Sequence, residues 1–592
     1  MNIIDKRVED LRKAMAAAGL DGWIINGTDP HQSEYVPERY RSREFISSFT
    51  GSAGLALVTG EKALLWVDSR YYLQAEEQIA GTVFEMMKID VPSDPDPYTY
   101  LKTNLPEGSV IGIDEATLPV GERTRIEGIF RSALVLKPME DILDLVWTDR
   151  PALPEHEVVE VPVEYAGFTM GEKLQQVRTL MVEAKATHLL LTTLDDIAWL
   201  TNLRGRDIPY NPLFMSYMLI STERACLYTG EKRFAEQLRA RLEEDLVLQP
   251  YTQLQDDLSN LWKHAVLHYD PHKTSVMVER SFGPYEKIEG RAFTTDLKAR
   301  KNEVELEGMR RAHLLDGVAL VNFLGRLDRK NGSYTELELA ARLLDERSRN
   351  EHFLGESFNA ISGFGAHGAI VHYAASEESN AKVEGDGLLV LDTGGTYAFG
   401  TTDVTRTILF GKPTEEQVRD YTLVLKGHLA LASARFPEGT CGYQLDVLAR
   451  QFLWQEGLSY FHGTGHGVGF RLNVHEGPQS ISPKPILAPL KEGMVVSDEP
   501  GIYRSGSHGI RIENLLAVQK DETTEFGTFH SFEVLTLCPL ERALIDPGLL
   551  TGEEIAMVDA YHGWVHDELY ELIDDEAVAY LEDATRSLLG DE

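Results

Sequence analysis

Cysteine is scarce: Cys226, Cys441 and Cys538 are the three in 592 residues. They are odd in number and far apart, which argues against a disulfide framework and a cysteine-type zinc site. No apolar run reaches the roughly 20 residues of a membrane span. The opening MNIIDKRVEDLRKAMAAAGL lacks the continuous apolar stretch of a signal peptide. It alternates charged and apolar residues, which predicts a helix. These absences favour a reducing, cytoplasmic setting. Positive charge is also short: 57 Lys and Arg against 94 Asp and Glu leave a formal charge of −37. Such a chain repels nucleic acid and anionic membranes, so neither is an expected partner. A solvated acidic surface is the simplest account of the excess; mild attraction for a peptide's α-amino group is the functional alternative. Low-complexity tracts and short repeats are missing too. The sequons at Asn26-Gly-Thr28 and Asn331-Gly-Ser333 read as chance matches.

What is present is ordinary globular composition, in a chain long enough for two to four domains. Residues 1–150 open with a helix and continue in strand-rich text such as LALVTG and ALLWVDSRYYLQAEEQ. The Pro-rich stretch from Pro151 to Pro162 reads as an extended linker. Residues 151–300 repeat the style, with helix GEKLQQVRTLMVEAKA, strand THLLLTT and then DDIAWLTNLRG. Helix then strand, twice, predicts two related α/β domains. Residues 301–592 form the third segment. An amphipathic helix is predicted over KARKNEVELEGMRRAHLLDGVALVNFLGRL from Lys298, and strands over LLVLDTGG, TRTILFG, MVVSDEPGIY and IRIENLLAVQ. The tail from Thr551 reads as one or two helices. Its apolar residues Trp564, Leu569 and Tyr570 serve either an interface or internal packing.

The chemistry-bearing residues fall in the last third. Asp392 ends an apolar strand and precedes Thr393-Gly394-Gly395; Asp403 follows eleven residues later in Gly400-Thr-Thr-Asp403-Val-Thr-Arg406. The intervening glycines fit a hairpin that returns the second Asp beside the first. Two adjacent carboxylates repel unless a cation or proton lies between them. The structural alternative is a turn Asp and a strand Asp that pairs with Arg406. His466 lies in His462-Gly-Thr-Gly-His466-Gly-Val-Gly469, whose glycines permit close backbone approach but lack the spacing of a dinucleotide loop. His475 follows in Asn473-Val-His475-Glu-Gly-Pro478. Glu499 sits in Ser497-Asp-Glu499-Pro-Gly501, after apolar Met494-Val-Val496. Arg511 and Glu513 alternate with apolar residues in Gly509-Ile-Arg-Ile-Glu513-Asn514, so both face one side of a strand. An Arg–Glu pair is the structural alternative there. Four carboxylates and an imidazole suit a pair of hard or borderline divalent ions better than one zinc.

Taken in order, LDTGG, TTDVTRT, HGTGHGVG, NVHEGP, SDEPG and GIRIEN resemble the pita-bread metallopeptidase family, and within it the long, three-domain aminopeptidases P. FISSFTGSAG from Phe45, DSRY from Asp68, DIAWL from Asp196 and NLRG from Asn202 extend the resemblance over nearly the whole chain. It implies two N-terminal α/β (creatinase-like) domains and then an α+β pita-bread catalytic domain whose curved antiparallel sheet cups the metals. It implies that Asp392, Asp403, His466, Glu499 and Glu513 hold two ions, commonly Mn2+, with Asp403 and Glu513 bridging. A metal-bridging hydroxide would attack the scissile carbonyl, with Glu499 as general base and then acid. His372, His462 and His475 correspond to histidines that bind substrate, and Arg511 to a residue that holds the carboxylates in place. Arg70 corresponds to an arginine that reaches the substrate region. The implied reaction removes the N-terminal residue from peptides with proline second, and the implied assembly is a homodimer. Ser69, Thr393-Gly-Gly and His367 depart from the family's usual residues without removing a ligand. A prolidase acting on Xaa-Pro dipeptides, or a non-catalytic pita-bread peptide-binding protein, are the alternatives. The length and the retained ligands count against each in turn.

Overall fold

A computed structural model describes residues 2–590 other than 90, 92 and 93. The chain divides into two compact units, Met1–Val161 with Phe168–Thr295 and Pro162–Gly167 with Asp296–Glu592.

The first unit holds two six-stranded mixed sheets built to one plan. One runs Phe84–Lys88, Ala63–Val67, Leu55–Thr59, Gly22–Asn26, Val110–Asp114, Val135–Met139. Its neighbours pair parallel, antiparallel, antiparallel, parallel, parallel. The other runs Val247–Gln249, Ala225–Tyr228, Tyr217–Ser221, His188–Leu191, Val266–Tyr269, Glu286–Glu289, with the same succession. The two related α/β domains expected from the repeated helix–strand pattern are therefore present. Local chemistry explains the elements. In the helix Ile3–Ala18 the buried residues Ile4, Val8, Leu11 and Met15 recur at helical spacing; Asn2 caps its start and Gly19, at φ 67°, ends it. Strand Ala63–Val67 is buried on both faces, which is why it reads as unbroken apolar text.

In the second unit every described strand pairing is antiparallel. Ile361–Phe364, Gly387–Thr393 and Val404–Phe410 form one sheet. A six-stranded sheet runs Phe436–Pro437, Gly527–Val534, Asn514–Thr524, Val495–Asp498, Gly465–Gly467, Glu476–Ile481. The helices Glu303–Gly325, Glu336–Ser348, Glu415–Ala432, Gly442–Gln455, Gly552–Leu569 and Asp575–Thr585 complete the unit.

Three predicted elements are divided. The helix expected from Lys298 is two: one ends at Ala299, and Asn302 caps the next with a reciprocal bond to Glu305. The strand over MVVSDEPGIY stops at Asp498 and resumes at Gly501; the strand over IRIENLLAVQ stops at Arg511 and resumes at Asn514. The breaks face each other, since Asp498 pairs with Asn514 and Gly501 with Arg511. Two neighbouring strands thus leave one sheet for another at the same level. The tail turns inward: Val565, Leu569, Ala577 and Leu581 are buried together, with Trp564 and Tyr570 partly buried against them.

Candidate metal centre

Glu499 and Glu513 occupy those two breaks. Backbone hydrogen bonds fix them there: Glu499 N–H donates to Thr464 O at 2.8 Å and Glu513 N–H to Thr405 O at 3.1 Å. Asp392 lies near the end of strand Gly387–Thr393, opposite Thr405, and Asp403 just precedes the returning strand. The hairpin expected between them is present, and Asp403 lies one residue beyond the last pair of the ladder, Thr393–Val404. His466 is central in strand Gly465–Gly467. Gly465 beside it lets the backbones close up, since a Cβ there would lie 1.9 Å from Ser497 O.

The five side chains converge. Ligand atoms of Asp403, His466 and Glu513 all lie within 4.8 Å of one another. His466 Nε2 is 3.4 Å from Asp403 Oδ2 and 3.7 Å from Glu499 Oε1. Its Nδ1 stands 3.0 Å from Gly467 O. A carbonyl only accepts, so Nδ1 carries a hydrogen, and Nε2 is the nitrogen that faces the acids.

Arg511 Nη2 donates to Asp392 Oδ2 at 2.7 Å, and its Nη1 to Tyr503 Oη at 2.7 Å. Thr405 Oγ1 donates to Glu513 Oε2 at 2.7 Å. The alternative pairing of Arg406 with a strand Asp is not found among the described residues; Arg406 donates to the carbonyls of Glu513, Cys538 and Pro539 and to Asn514 Oδ1.

Burial and mutual repulsion dominate the electrostatics. Burial, then Glu513, push the Glu499 carboxyl up to about 8. Burial, then Asp392 and Glu499, raise Asp403; burial, then Asp403 and Asp392, raise Glu513. Asp392 Oδ1 and Asp403 Oδ1 are buried with no hydrogen-bond partner among the described residues. Orphaned carboxylate oxygens in a buried acidic cluster are costly, on the order of several kcal/mol, unless a cation takes them. The residues therefore fit divalent cations, and the oxygen-rich donor set fits hard or borderline ones.

The candidate substrate residues are placed unequally. His462 Nδ1 lies 2.7 Å from Gly463 O, and its Nε2 shares a hydrogen bond with Tyr503 Oη at 2.8 Å. The hydroxyl of Tyr503 thereby links His462 to Arg511. His475 meets the His466 ring edge-on at 4.4 Å. His372 follows the helical turn Gly365–Ala369, which packs so tightly on the Arg511 strand that a Cβ on Gly509 would lie 1.7 Å from Gly368 O. Arg70 lies in the first unit, where its guanidinium grips Asp68 through Nε at 2.8 Å and Nη2 at 2.7 Å.

Sequence reasoning missed several supports. Tyr503 and Thr405 lie inside quoted strings but were given no role there. Glu336 is fully buried and gathers His367 Nδ1 at 2.9 Å, Tyr373 Oη at 2.9 Å and two backbone amides, pinning the loop that carries His372. His367, noted only as a departure, is thus a structural partner.

Antiparallel sheets cupping an acidic cluster, with paired α/β domains of one topology ahead of them, define the class: a pita-bread metallopeptidase with creatinase-type N-terminal domains. Residues 307–520 match the metallopeptidase family M24 and residues 528–588 the C-terminal region of that peptidase. Residues 7–146 and 149–305 each match the creatinase/prolidase N-terminal domain. A probable Xaa-Pro aminopeptidase P from Paracoccidioides brasiliensis (strain Pb03) is 40% identical over 588 residues, 95% of each chain. One from Aspergillus niger is 39% identical over 99% of this chain and 98% of its own. The crystal structure of X-prolyl aminopeptidase from Caenorhabditis elegans, described as a cytosolic enzyme with a di-nuclear active site, superposes with TM-score 0.95 at 33% identity, covering 98% of this chain and 99% of that one. The chain belongs to metallopeptidase family M24, in its Xaa-Pro aminopeptidase P group.

Proposed function

We propose that this chain is a dinuclear-metal aminopeptidase that releases the N-terminal residue from peptides with proline at the second position. The observation that carries the reading is the convergence of Asp392, Asp403, His466, Glu499 and Glu513, in a chain that matches Xaa-Pro aminopeptidases from end to end. In this reading those five residues would hold two divalent ions, taken to be Mn2+. When bound, the ions would supply Lewis-acid polarisation and an activated nucleophile at neutral pH. Glu499, whose Oε1 lies 3.7 Å from His466 Nε2, is assigned to taking a proton and returning it. The nitrogen leaving from an Xaa-Pro bond has no N–H of its own and must gain a proton. His462 is oriented by Tyr503 and His475 by the His466 ring; together with His372 they are assigned to binding and orienting the substrate around that nitrogen. Arg511 holds Asp392. Arg70 is assigned to the substrate end, and the domain divisions to residues 1–150, 151–300 and 301–592.

A prolidase is the second reading. The Pyrococcus horikoshii prolidase structure, at TM-score 0.52, is covered over 99% of its length by only 62% of this chain, so this chain carries a further domain's worth of sequence. Cytoplasmic placement is part of the reading and is supported by three free, separated cysteines. A homodimer is the proposed assembly, checked by light scattering. The test of function is mass spectrometry of cleavage after chelation and return of Mn2+. Loss of only the first residue from an Arg-Pro-Pro tripeptide, with an Xaa-Ala tripeptide untouched, is the expected outcome. Cleavage confined to an Xaa-Pro dipeptide would make the chain a prolidase. A folded protein inert with every divalent ion would point to peptide binding alone.

A further inference from the structure

Behind the Asp392–Asp403 pair lies a second charged group that the reaction does not use. Asp316, on the helix Glu303–Gly325, and Arg347, on Glu336–Ser348, are 2% and 1% exposed. Arg347 grips Asp316 with two bonds, Nε to Oδ1 at 2.7 Å and Nη2 to Oδ2 at 3.0 Å. Tyr397 Oη donates to Oδ1 at 2.7 Å and Thr402 Oγ1 to Oδ2 at 3.0 Å, so each carboxylate oxygen has two donors. The remaining Arg347 nitrogen, Nη1, donates to Thr393 Oγ1 and to Gly394 O.

The two threonines give the network its meaning. Thr393 directly follows Asp392, and Thr402 directly precedes Asp403. The ladder between their strands ends at the pair Thr393–Val404, so Asp403 lies just outside it. Backbone bonds hold the chain on either side of Asp403, through the pair Thr393–Val404 and through Thr402 N–H to Gly395 O at 2.8 Å. The Asp316–Arg347 pair adds a side-chain clamp at the same two points, with one arm on Thr393 and one on Thr402. Thr402 Oγ1 also accepts from Gly395 N–H at 2.9 Å, closing the neck of the 394–403 excursion. A buried ion pair is weak evidence for stability by itself, because apolar residues often replace one without loss. Its use here is geometric, since a saturated buried network specifies a single arrangement.

We propose that Asp316 and Arg347 are positioning residues for the metal centre, acting through Thr402 and Thr393 to fix the spacing of Asp392 and Asp403. This rests on the reading of those two carboxylates as metal ligands. Neither positioning residue touches substrate or metal. Residues that orient metal ligands typically change affinity by about 10- to 100-fold when lost.

The test replaces the threonines and leaves the ion pair intact. Thr402→Val, Thr402→Ser and Thr393→Val are compared with the wild type by calorimetric titration of the chelator-stripped full chain with Mn2+, by thermal midpoint in chelator, and by kcat and KM. Thr402→Val and Thr393→Val are expected to weaken at least one of two Mn2+ sites by about 10- to 100-fold and to lower kcat with little change in KM. Thr402→Ser, which keeps the hydroxyl, is expected to restore both. If the valine variants lose thermal stability but bind both ions as the wild type does, the network is structural only and the proposal fails. Should Thr402→Val not fold, Thr393→Val, which leaves all four Asp316 bonds in place, carries the same decision. A wild-type chain that takes up no Mn2+ would instead remove the metal-centre reading on which the proposal stands.

Discussion

Gly465→Ala separates the metal centre from the fold that carries it. Gly465 precedes His466, and its missing side chain faces the neighbouring strand: a Cβ would lie 1.9 Å from Ser497 O and 2.9 Å from its carbonyl carbon. Ordinary contact begins at about 3.5 Å, so the strands must part by roughly 1.5 Å. The obstacle is backbone and cannot rotate away. The same two strands are joined by Glu499 N–H to Thr464 O at 2.8 Å and by His466 N–H to Ser497 Oγ at 3.0 Å. Parting them moves His466 from Glu499, now 3.7 Å from its Nε2. Metal–ligand distances tolerate about 0.2 Å, several times less than the imposed shift. Overpacking of this kind costs about 1–3 kcal/mol, against domain stabilities of about 5–15 kcal/mol, so the chain should still fold. The expected result is a folded protein with Mn2+ affinity down by more than about 100-fold, since a direct ligand is displaced, not merely reoriented. Native mass spectrometry gives the stoichiometry, calorimetric titration the affinity, and circular dichroism the fold. A variant that binds two ions at wild-type affinity, with kcat within a factor of about two, would refute the steric argument, because even reorienting a ligand costs about 10-fold or more.

Three further outcomes follow from the site. In the metal-free protein the Glu499 carboxyl, pushed up to about 8 from its ordinary 4.5 by burial and then Glu513, holds a proton that the unfolded chain has already released. Its folded value is raised, so its stabilisation is full below about 4.5 and is lost as pH rises towards 8. Thermal midpoints in chelator should fall over that window, and Mn2+ binding at pH 7 should release protons, measurable by titration in buffers of different ionisation enthalpy; no release would contradict the assignment. Arg511→Met strips Asp392 of its buried partner, worth about 3–5 kcal/mol when broken. Chemical denaturation should show a larger loss without Mn2+ than with it, because a bound cation replaces the missing charge; equal losses would mean that no cation sits beside Asp392. Arg406→Met leaves the carbonyls of Glu513 and Pro539 without the guanidinium that serves them, while Cys538 O keeps the Tyr561 hydroxyl as donor. A stability loss of about 3 kcal/mol or more is expected with or without metal; a loss under about 1 kcal/mol, the worth of one ordinary hydrogen bond, would show the brace to be dispensable.

The candidate ligands were only partly legible from local chemistry. Each carboxylate and histidine had a structural reading of its own, and the order of the motifs, through the family they resemble, joined them into one candidate site. The paired N-terminal domains were legible from a helix–strand order that appears twice. Less legible were the breaks at Glu499-Pro500 and Ile512-Glu513, since alternation of apolar residues runs on through both. A strand leaves its sheet when its neighbour does too, and that pairing is not a local property. Trp564, Leu569 and Tyr570 illustrate the same limit: apolarity left interface and internal packing both open, and the packed tail shows Leu569 buried within the unit with Trp564 and Tyr570 partly buried against it.

Sequence alone determined which residues carry charge, where chain direction reverses, and which family's motifs stand in order. Tertiary structure alone decided what those charges face. The structural alternative had Arg406 pairing with a strand Asp, yet it braces backbone carbonyls, and Arg511, 119 residues along the chain from Asp392, holds that carboxylate instead. Asp316 and Arg347 carried no signal at all, because a buried ion pair gains its role from which hydroxyls lie within 3.0 Å of it. Burial raises the carboxyls of Asp403, Glu499 and Glu513 only when folding removes water and brings like charges together, so neither their protonation nor their appetite for a cation exists in the extended chain.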